Sequence, residues 1–467
     1  MYTIKQLCEY TNGKIINGNI EKQVTHYSVN HEFHIKDGLY IPIEFHGENR
    51  EIYIIDSVKL GCMGFMINSG SENKKTIIEE AKKTNPNICI LEVDNVNNAI
   101  YNLAKMNRIK YIDKPIIGIT GSVGKTSMSN ILSNILKKEY KILHDFDNRN
   151  MNNKILISND LMHLENYDMA VIEMGTSKPG NMHILSELVK PSIAVITTIG
   201  TAHLNEFHTQ DKILEDKLHI TDYLKDEKLL FVNADNNLLN NINEPSSYKL
   251  IKCSKNEATN ILETENGISF EVKIYNRVTK FNLNIFGIHY ITSIIIAIHI
   301  AEHYKIKYEN IVDGINDFKP IDGRCKILKD NKRNITLLDD SYSSSFEAVK
   351  CGLDVANKLK SKRKIAVLGK MAAYGDESDK IHEELGKYFK NLNFDYIYLT
   401  GDYTKHIFKG ALSCFEEKKI KRFKSKELLI EDLDKNIENG DLIYIKAAHT
   451  QHFDMIVKEL KKKYNFI

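Results

Sequence analysis

Short apolar runs recur along the middle of the chain, and segments with helical periodicity separate them. Three of these runs read IIGIT, MAVIE and IAVIT, at residues 116–120, 169–173 and 193–197. Strands that are apolar throughout and alternate with helices are typical of a parallel sheet covered by helices on both faces. Ligands bind such sheets at the carboxyl ends of the strands. The pattern therefore predicts that the chemistry of this region lies along one edge of a sheet.

Similar patterns occur on both sides of this region. GLYIPI, GFMIN and NICILEV precede it, and ITLLDD, KIAVLGKM, FDYIYLTG and LIYIKAA follow it, with helical segments in between. We predict an α/β protein of three domains. They are a small N-terminal α/β domain at residues 1–112, a central parallel-sheet domain at 113–319 and a Rossmann-like C-terminal domain at 320–467.

The composition limits the class of partner. The 467 residues include 64 Lys and Arg and 62 Asp and Glu, so a net charge of +2 gives no general attraction for nucleic acid or a membrane surface. The seven cysteines form no C-x-x-C pair, and the chain lacks both an N-terminal leader pattern and an apolar run of ~18 residues. We expect a cytoplasmic monomer that binds small molecules, with no nucleic-acid or membrane partner.

The first apolar run of the central region leads into the loop TGSVGKTS. Its spacing is shorter than the general G-x-x-x-x-G-K-[ST] phosphate loop, because Ile119 stands where that pattern has its first glycine. Gly121 and Gly124 still allow backbone N–H groups to approach phosphate oxygens at a helix N-terminus. These residues alone leave a motor, a switch, a kinase and a ligase open. The predicted ATP contacts in the loop are Gly121, Ser122, Val123, Gly124, Lys125, Thr126 and Ser127.

An acid and an imidazole follow the next two strands. Glu173 ends MAVIE, and His203 lies just past the strand IAVIT. Because neighbouring parallel strands end at the same edge of a sheet, both side chains are candidates for a metal site beside the phosphate loop. Lys217 lies in the helical segment ILEDKLHITDYL, where spacing alone does not distinguish it from a surface lysine.

The ordered series of motifs along the chain resembles that of the Mur ligases. Within that family it is most similar to the ligases that add D-alanyl-D-alanine to UDP-N-acetylmuramoyl-tripeptide during peptidoglycan synthesis. The resemblance implies that ATP phosphorylates a carboxylate, that an amine attacks the acyl phosphate, and that an amide, ADP and phosphate are formed. The motifs are GITGSVGKTS, NRNMNNK, VIEMGTSKPGNM, AVITTIGTAHLNEF, EDKLHI, FGIHY, DGR, DDSY and LGKMAAYGDESDKIHEELG.

The resemblance also implies two Mg²⁺ ions. Thr126 and Glu173 match ligands of one ion, and His203 matches a ligand of the other. Lys217 stands where these ligases carry a lysine carbamylated by CO₂, a change that turns a cation into an anion able to hold Mg²⁺. The residues expected to take part in catalysis are Lys125, His203 and Lys217.

Three further matches extend the expected ATP site beyond the loop. His289 lies in FGIHY, on the adenine side. Arg324 and Asp340 match residues at the start of the C-terminal domain that approach the phosphates and the ribose, respectively. The resemblance implies that this domain closes over the nucleotide and excludes water from the acyl phosphate.

The motifs on the substrate side depart from the family pattern. Residues 25–30 read THYSVN where the family has TDSR, and DDSYSSSF at 339–346 replaces DDSYNANP. Three hypotheses follow: a ligase of peptidoglycan synthesis with unusual contacts, a paralogue that joins another carboxylate and amine, and an inactive nucleotide-binding regulator. The candidate substrate residues are Ser28, Asn152, Asn153, Tyr342, Ser343 and Ser345.

Overall fold

The computed structural model describes residues 2–33, 35–45, 47–145, 152–264, 266–372 and 374–466. Residues 148–151 of the motif NRNMNNK lie outside these ranges. Among the helices described, none combines the length and the apolar character needed to cross a bilayer.

The N-terminal unit is built on a five-stranded sheet of order β2-β9-β8-β5-β4, in which only β2 runs antiparallel to its neighbour. Its elements are β1 (Tyr2–Thr3), α1 (Ile4–Thr11), β2 (Lys14–Asn17), β3 (Gln23–Val24), β4 (Tyr27–Ser28), β5 (Leu39–Tyr40), β6 (Glu44–Phe45), β7 (Glu48–Asn49), α2 (Ile54–Lys59), β8 (Gly64–Asn68), α3 (Lys74–Thr84), β9 (Cys89–Val93) and α4 (Val96–Lys110).

The central unit contains the predicted parallel sheet, of order β11-β12-β10-β13-β14-β15. Its elements are β10 (Ile116–Thr120), α5 (Lys125–Leu136), β11 (Ile142–Leu143), α6 (Lys154–Met162), β12 (Met169–Glu173), α7 (Asn181–Val189), β13 (Ile193–Ile196), α8 (Leu204–Phe207), α9 (Gln210–Leu218), β14 (Leu229–Asn233), α10 (Asn237–Asn240), β15 (Lys249–Cys253), β16 (Thr259–Thr264), β17 (Gly267–Ile274), β18 (Arg277–Leu283), α11 (His289–His303) and α12 (Tyr308–Asn316).

The central sheet is covered on both faces, as its apolar strands predict. Every residue of β10 is buried, and Ile116 packs into one apolar cluster while Ile117 and Ile119 pack into another. Each cluster also receives alternate residues of β12 and β13, because successive side chains of a strand point to opposite faces. The sheet therefore holds the ends of three adjacent strands, β12, β10 and β13, in fixed register.

One part of the central region departs from the prediction of helices alternating with parallel strands. Strands β16, β17 and β18 form a three-stranded antiparallel sheet. Buried and exposed residues alternate along most of β18. Such alternation is typical of an antiparallel sheet that packs on the core with one face and meets water with the other.

The C-terminal unit has a second six-stranded sheet, of order β19-β20-β24-β21-β22-β23. All its pairs are parallel except the hairpin β19–β20. The described sheets do not share strands across residue 112 or 320, and the α/β fold class is confirmed. The elements are β19 (Lys326–Asp330), β20 (Ile335–Asp339), α13 (Phe346–Lys358), β21 (Arg363–Leu368), α14 (Ser378–Tyr388), β22 (Tyr396–Thr400), α15 (Thr404–Ala411), β23 (Ile420–Phe423), α16 (Lys426–Asn436), β24 (Asp441–Lys446) and α17 (Asp454–Lys463).

The connection between the N-terminal and central units is organised by a buried arginine. The guanidinium of Arg108, near the end of α4, donates hydrogen bonds to five backbone carbonyl groups. Backbone carbonyls satisfy its donors as burial requires. The carbonyls belong to Tyr111, Ile112 and Lys114 in the connection and to Val189 and Lys190 at the end of α7.

Candidate active site

The predicted phosphate loop lies at the carboxyl end of β10 and needs both of its glycines. Gly121 has φ 145° and Gly124 has φ 89°, a region that side chains other than glycine rarely adopt. A Cβ atom on Gly121 would lie 2.0 Å from Oγ1 of Thr197, the residue that follows β13. The Thr197 hydroxyl also donates to the carbonyl oxygen of Val123, at 2.6 Å. The residue that follows the neighbouring strand β13 thus helps to hold the loop in its turn conformation.

Lys125 is the first residue of α5 and folds back over the loop. Its Nζ donates to the carbonyl oxygen of Gly121 at 2.9 Å. Burial lowers the pKa of Lys125. The negative charge of Glu173 opposes this shift, and the positive charge of Arg324 adds to it. A cation, a glycine turn and a helix N-terminus in one place are the features that favour anion binding. The ATP contacts of the loop, Ser122 and Ser127 included, remain predictions.

Glu173, at the end of β12, faces the first turns of α5. Its carboxylate accepts hydrogen bonds from Thr126 Oγ1 at 3.1 Å and Ser129 Oγ at 2.9 Å, and Asn152 Nδ2 lies 3.5 Å away. A carboxylate and a hydroxyl are oxygen ligands of the kind that Mg²⁺ prefers, so Thr126 and Glu173 fit the predicted ion. Ser129 was not predicted, although its position one helical turn after Thr126 places it on the same face of α5.

Lys217 is not a surface lysine. It lies at the end of α9, it is 4% exposed, and its Nζ is 3.4 Å from Thr176 Oγ1. Burial, helped by the charge of Lys125, lowers the pKa of Lys217 to about 7. Asp216, the preceding residue, opposes this shift, but one of its buried oxygens has no hydrogen-bond partner among the described residues. A buried amine beside another cation fits a lysine that becomes anionic by carbamylation.

His203 completes this group of side chains. It precedes α8 with a left-handed backbone, φ 65°. Burial and the charges of Lys217 and Lys125 lower the pKa of His203 to about 4, so the imidazole is neutral at pH 7. A neutral imidazole is a metal ligand, whereas an imidazolium is not. The structure thus brings Lys125, His203 and Lys217 within electrostatic range of one another.

The C-terminal unit contacts this edge of the central sheet through a residue that the sequence did not indicate. The carboxylate of Glu347, in the first turn of α13, accepts hydrogen bonds from Thr201 N at 2.9 Å and Thr201 Oγ1 at 3.1 Å. The hydroxyl of Tyr374 accepts the N–H of Phe346 at 2.6 Å. Glu347 lies just outside the DDSY motif, where it has the pattern of an ordinary acid in a first helical turn.

The three remaining predicted ATP residues lie at the same junction but have protein partners. Asp340 is enclosed by Lys446 Nζ at 2.5 Å, Tyr444 OH at 3.1 Å and the N–H of Cys325 at 3.2 Å. The Arg324 guanidinium lies over the ring of Tyr342, 4.4 Å from its centroid. His289 begins α11, and its Nδ1 is 3.1 Å from Cys351 Sγ. Their roles towards ATP remain predictions.

Three of the predicted substrate residues use their polar side-chain atoms within the protein. The buried Ser28 hydroxyl lies 2.7 Å from the carbonyl oxygens of both Asn30 and Phe33 and accepts the N–H of Asn30. Asn153 caps α6, and Ser345 caps α13 by accepting the N–H of Ala348 at 3.4 Å. Asn152 faces Glu173, while Tyr342 and Ser343 are partly buried.

The two units that form this site match known sequence families. The Mur ligase middle domain matches residues 119–301, and the Mur ligase glutamate ligase domain matches residues 323–449. The chain belongs to the Mur ligase family. The resemblance based on the motifs is thereby confirmed, and this Mur ligase carries its phosphate loop, Glu173, His203 and Lys217 within the first of the two matches.

Relatives of this Mur ligase extend over its whole length. The UDP-N-acetylmuramoyl-tripeptide–D-alanyl-D-alanine ligase of Bacillus subtilis is 26% identical over 463 residues, covering 98% of each chain. A crystal structure of MurF from Acinetobacter baumannii has a TM-score of 0.81 at 20% identity and covers 99% of each chain. The MurF ligase of Thermotoga maritima, solved in complex with ADP, has a TM-score of 0.72 at 21% identity and covers 94% of this chain and 98% of its own. The three-domain fold of these ligases is shared.

Proposed function

We propose that this Mur ligase is a MurF-type enzyme that joins D-alanyl-D-alanine to UDP-N-acetylmuramoyl-tripeptide in peptidoglycan precursor synthesis. The observation that carries the proposal is the convergence of an anion-binding loop, the Thr126–Glu173 pair and the buried Lys217 at one edge of the central sheet. Relatives of the same length that are named for this reaction support it.

In the proposed reaction a carboxylate oxygen of the tripeptide attacks the γ-phosphorus of ATP, and ADP leaves. The amine of the dipeptide then attacks the acyl carbon, loses a proton and expels phosphate, which forms the amide. Lys125 and the N-terminus of α5 would neutralise charge on the phosphate oxygens during both steps. Positioning and electrostatic stabilisation account for most of the catalysis in reactions of this kind.

The family resemblance supplies the proposed metal ligands, and the contacts of the site are compatible with them. Thr126 and Glu173 would hold one Mg²⁺ ion, and His203 with a carbamylated Lys217 would hold the second. Mg²⁺ supplies positive charge to the crowded phosphate oxygens. The pKa of about 7 leaves a large share of Lys217 neutral at pH 7, which is the form of an amine that reacts with CO₂.

We assign the remaining roles by unit. The N-terminal domain, residues 1–112, would bind the UDP-sugar portion. The central domain, 113–319, would bind ATP, and the C-terminal domain, 320–467, would close over the nucleotide with Arg324, Asp340 and His289 at the junction. The enzyme would act as a cytoplasmic monomer on small-molecule substrates.

A second candidate is a paralogue that joins another carboxylate and amine. The observation that favours it is the N-terminal segment 25–30, which lacks the acid and the arginine of the family pattern and whose Ser28 hydroxyl is occupied by its own loop. In that case the ATP chemistry of the central domain would be retained while the substrate contacts differ.

One experiment separates these candidates. ADP release and amide product, detected by mass spectrometry, are measured for a panel of carboxylate and amine pairs that includes UDP-N-acetylmuramoyl-tripeptide with D-alanyl-D-alanine. The first proposal requires product from that pair, and the paralogue requires product from another pair only. Lys125→Ala should abolish either activity, whereas Lys138→Ala, which removes a surface partner of Asp317, should not. ATP binding without any product would favour the third hypothesis, an inactive nucleotide-binding regulator.

A further inference from the structure

Two histidines and an aspartate that were not among the predicted site residues converge on the surface of the central unit. His183 Nδ1 lies 2.5 Å and His219 Nδ1 lies 2.9 Å from the same oxygen, Asp222 Oδ2. One ligand atom of each residue lies within 4.8 Å of those of the other two. Both imidazoles are about half exposed, at 50% and 43%, so a solvated ion can reach them.

The backbone beneath this cluster is well fixed. His219 begins a 3₁₀ helix, His219–Thr221, and Asp222 is its C-cap, so the spacing of three residues places both side chains on one face. His183 lies in the first turn of α7. Ser186, one turn later, joins the two segments, because its hydroxyl donates to Ile220 O at 2.9 Å and accepts the N–H of Tyr223 at 3.2 Å.

We propose that His183, His219 and Asp222 form a binding site for a divalent transition-metal ion such as Zn²⁺. Two imidazole nitrogens and one carboxylate oxygen are a ligand set for Zn²⁺ and its neighbours in the first row, whereas Mg²⁺ requires oxygen ligands. Metal–ligand distances of about 2.1 Å in a tetrahedral site separate the ligand atoms by about 3.4 Å. The side chains would have to rotate to open the present contacts of 2.5 and 2.9 Å to that spacing, and water would complete the coordination.

The site would link two segments that are far apart in the sequence. The ion would bind α7 to the 3₁₀ turn that directly follows α9, and Lys217 lies two residues before His219. Bound metal would therefore restrain the segment that carries Lys217 without contacting the phosphate loop. The site itself does not depend on the proposed ligase reaction and is tested without turnover.

The test measures Zn²⁺ binding to the full-length protein by calorimetry and equilibrium dialysis, with MgCl₂ in excess to saturate oxygen-ligand sites. The wild type should bind one equivalent that His183→Ala, His219→Ala or Asp222→Asn each weakens by at least about tenfold. Zn²⁺ should raise the thermal unfolding midpoint of the wild type and not of these variants, since only the folded wild type binds it.

Two control variants show whether the loss of binding is specific to this cluster. His303→Ala removes a surface histidine that is paired with Glu227, at 3.0 Å, and should leave Zn²⁺ binding unchanged. His299→Ala reports on the other candidate cluster, formed with Cys253 and Glu257. Unchanged stoichiometry and affinity in both His183→Ala and His219→Ala would overturn the proposal, as would an equal loss in His303→Ala or a loss confined to His299→Ala. Unchanged ADP binding by each variant shows that it is folded.

Discussion

The edge of the central sheet and the two flanking units use their polar side chains in different ways. Lys125, Glu173 and Lys217 keep charged or ionisable atoms next to the predicted phosphate loop. Ser345 and its counterpart Ser28 in the N-terminal unit use their hydroxyl groups to bind helix and loop backbone. A serine or asparagine in a motif therefore identifies a ligand contact less reliably than a lysine that the fold buries.

This difference also changes the meaning of the departure at 339–346. The family pattern has asparagine and proline where this chain has Ser345 and Phe346. Those residues are the N-cap and first position of α13, where serine and asparagine are nearly equivalent caps and proline is merely favoured. Two of the four substitutions in this stretch therefore preserve a helix start. The cap does not explain the replacement of asparagine by Ser343 or that of alanine by Ser344.

The largest effect in this comparison is expected from Lys217. Lys217→Ala should lower the ligation rate by about 10²- to 10³-fold or more, because it removes a preorganised charge at the reacting phosphates. Steady-state ADP release measures the effect, and added acetate or bicarbonate should restore part of it to the alanine variant. Lys212→Ala, on the exposed face of the same helix, is the matched control. Full activity of Lys217→Ala would remove the carbamate from the mechanism.

A second prediction concerns His382, a buried histidine whose two ring nitrogens both have partners within the protein. His382 is fully buried, its Nε2 accepts the N–H of Met371 at 2.9 Å, and its Nδ1 lies 2.6 Å from Ser378 O. Burial lowers the pKa of His382 to about 4, below the value of about 6.5 expected in the unfolded chain. The unfolded chain therefore takes up the proton first, and stability falls as the pH drops from about 6.5 to about 4.

The loss should reach at most about 3 kcal/mol in the free energy of unfolding, which urea titrations at several pH values measure. His382→Gln should remove that part of the pH dependence, while His26→Gln, at a partly exposed position, should retain it. An unchanged pH profile in His382→Gln would show that the buried imidazole does not control acid stability.

Glu173→Gln should weaken Mg²⁺ binding by about 10- to 100-fold, because the amide carries no charge and its single oxygen can accept the hydrogen bond of only one of the two hydroxyls, Thr126 or Ser129. Mg²⁺ dependence of ADP binding is the measurement. Glu309→Gln, an exposed acid in the first turn of α12, should leave it unchanged. Equal Mg²⁺ affinity in wild type and Glu173→Gln would place the ion elsewhere.

The smallest effect is expected at Ser345. Ser345→Ala should destabilise the protein by about 1 kcal/mol through loss of the cap on α13, and Ser345→Asn should restore that stability. Thermal unfolding and the KM for the amine substrate are measured together. An unchanged unfolding midpoint combined with a raised KM in Ser345→Ala would mean that the hydroxyl binds substrate after all.

The sequence was informative where physical demands on a residue are narrow. The runs at 116–120, 169–173 and 193–197 became β10, β12 and β13, since apolar residues throughout a strand suit only a sheet that is covered on both faces. Gly121 was identifiable because a turn of this kind excludes any Cβ. Residues 259–283 were not predicted as an antiparallel sheet. Their alternation of polar and apolar residues is typical of strands, but it does not show which strands pair with one another.

The residues of the candidate site also differ in how well the sequence predicts their positions. The positions of Thr126 and Glu173 follow from strand order, whereas the burial of Lys217 depends on how α9 packs, which its spacing does not encode. Glu347 and Thr201 meet only when the C-terminal unit is in place, across 146 positions of sequence. Contacts of this kind depend on tertiary structure, and a local pattern does not predict them.

Arg108 distinguishes the connection between the N-terminal and central units from the connection between the central and C-terminal units. The five carbonyls that it binds include three from the short connection 111–114, so the backbone angles of that connection are fixed by one side chain. A hinge needs a few residues that are free to change those angles. We therefore expect the N-terminal and central units to turn together, and rotation that admits or releases ligands to occur at the other connection, around residues 317–323. A protease that probes the two connections in solution should cut the second much sooner than the first.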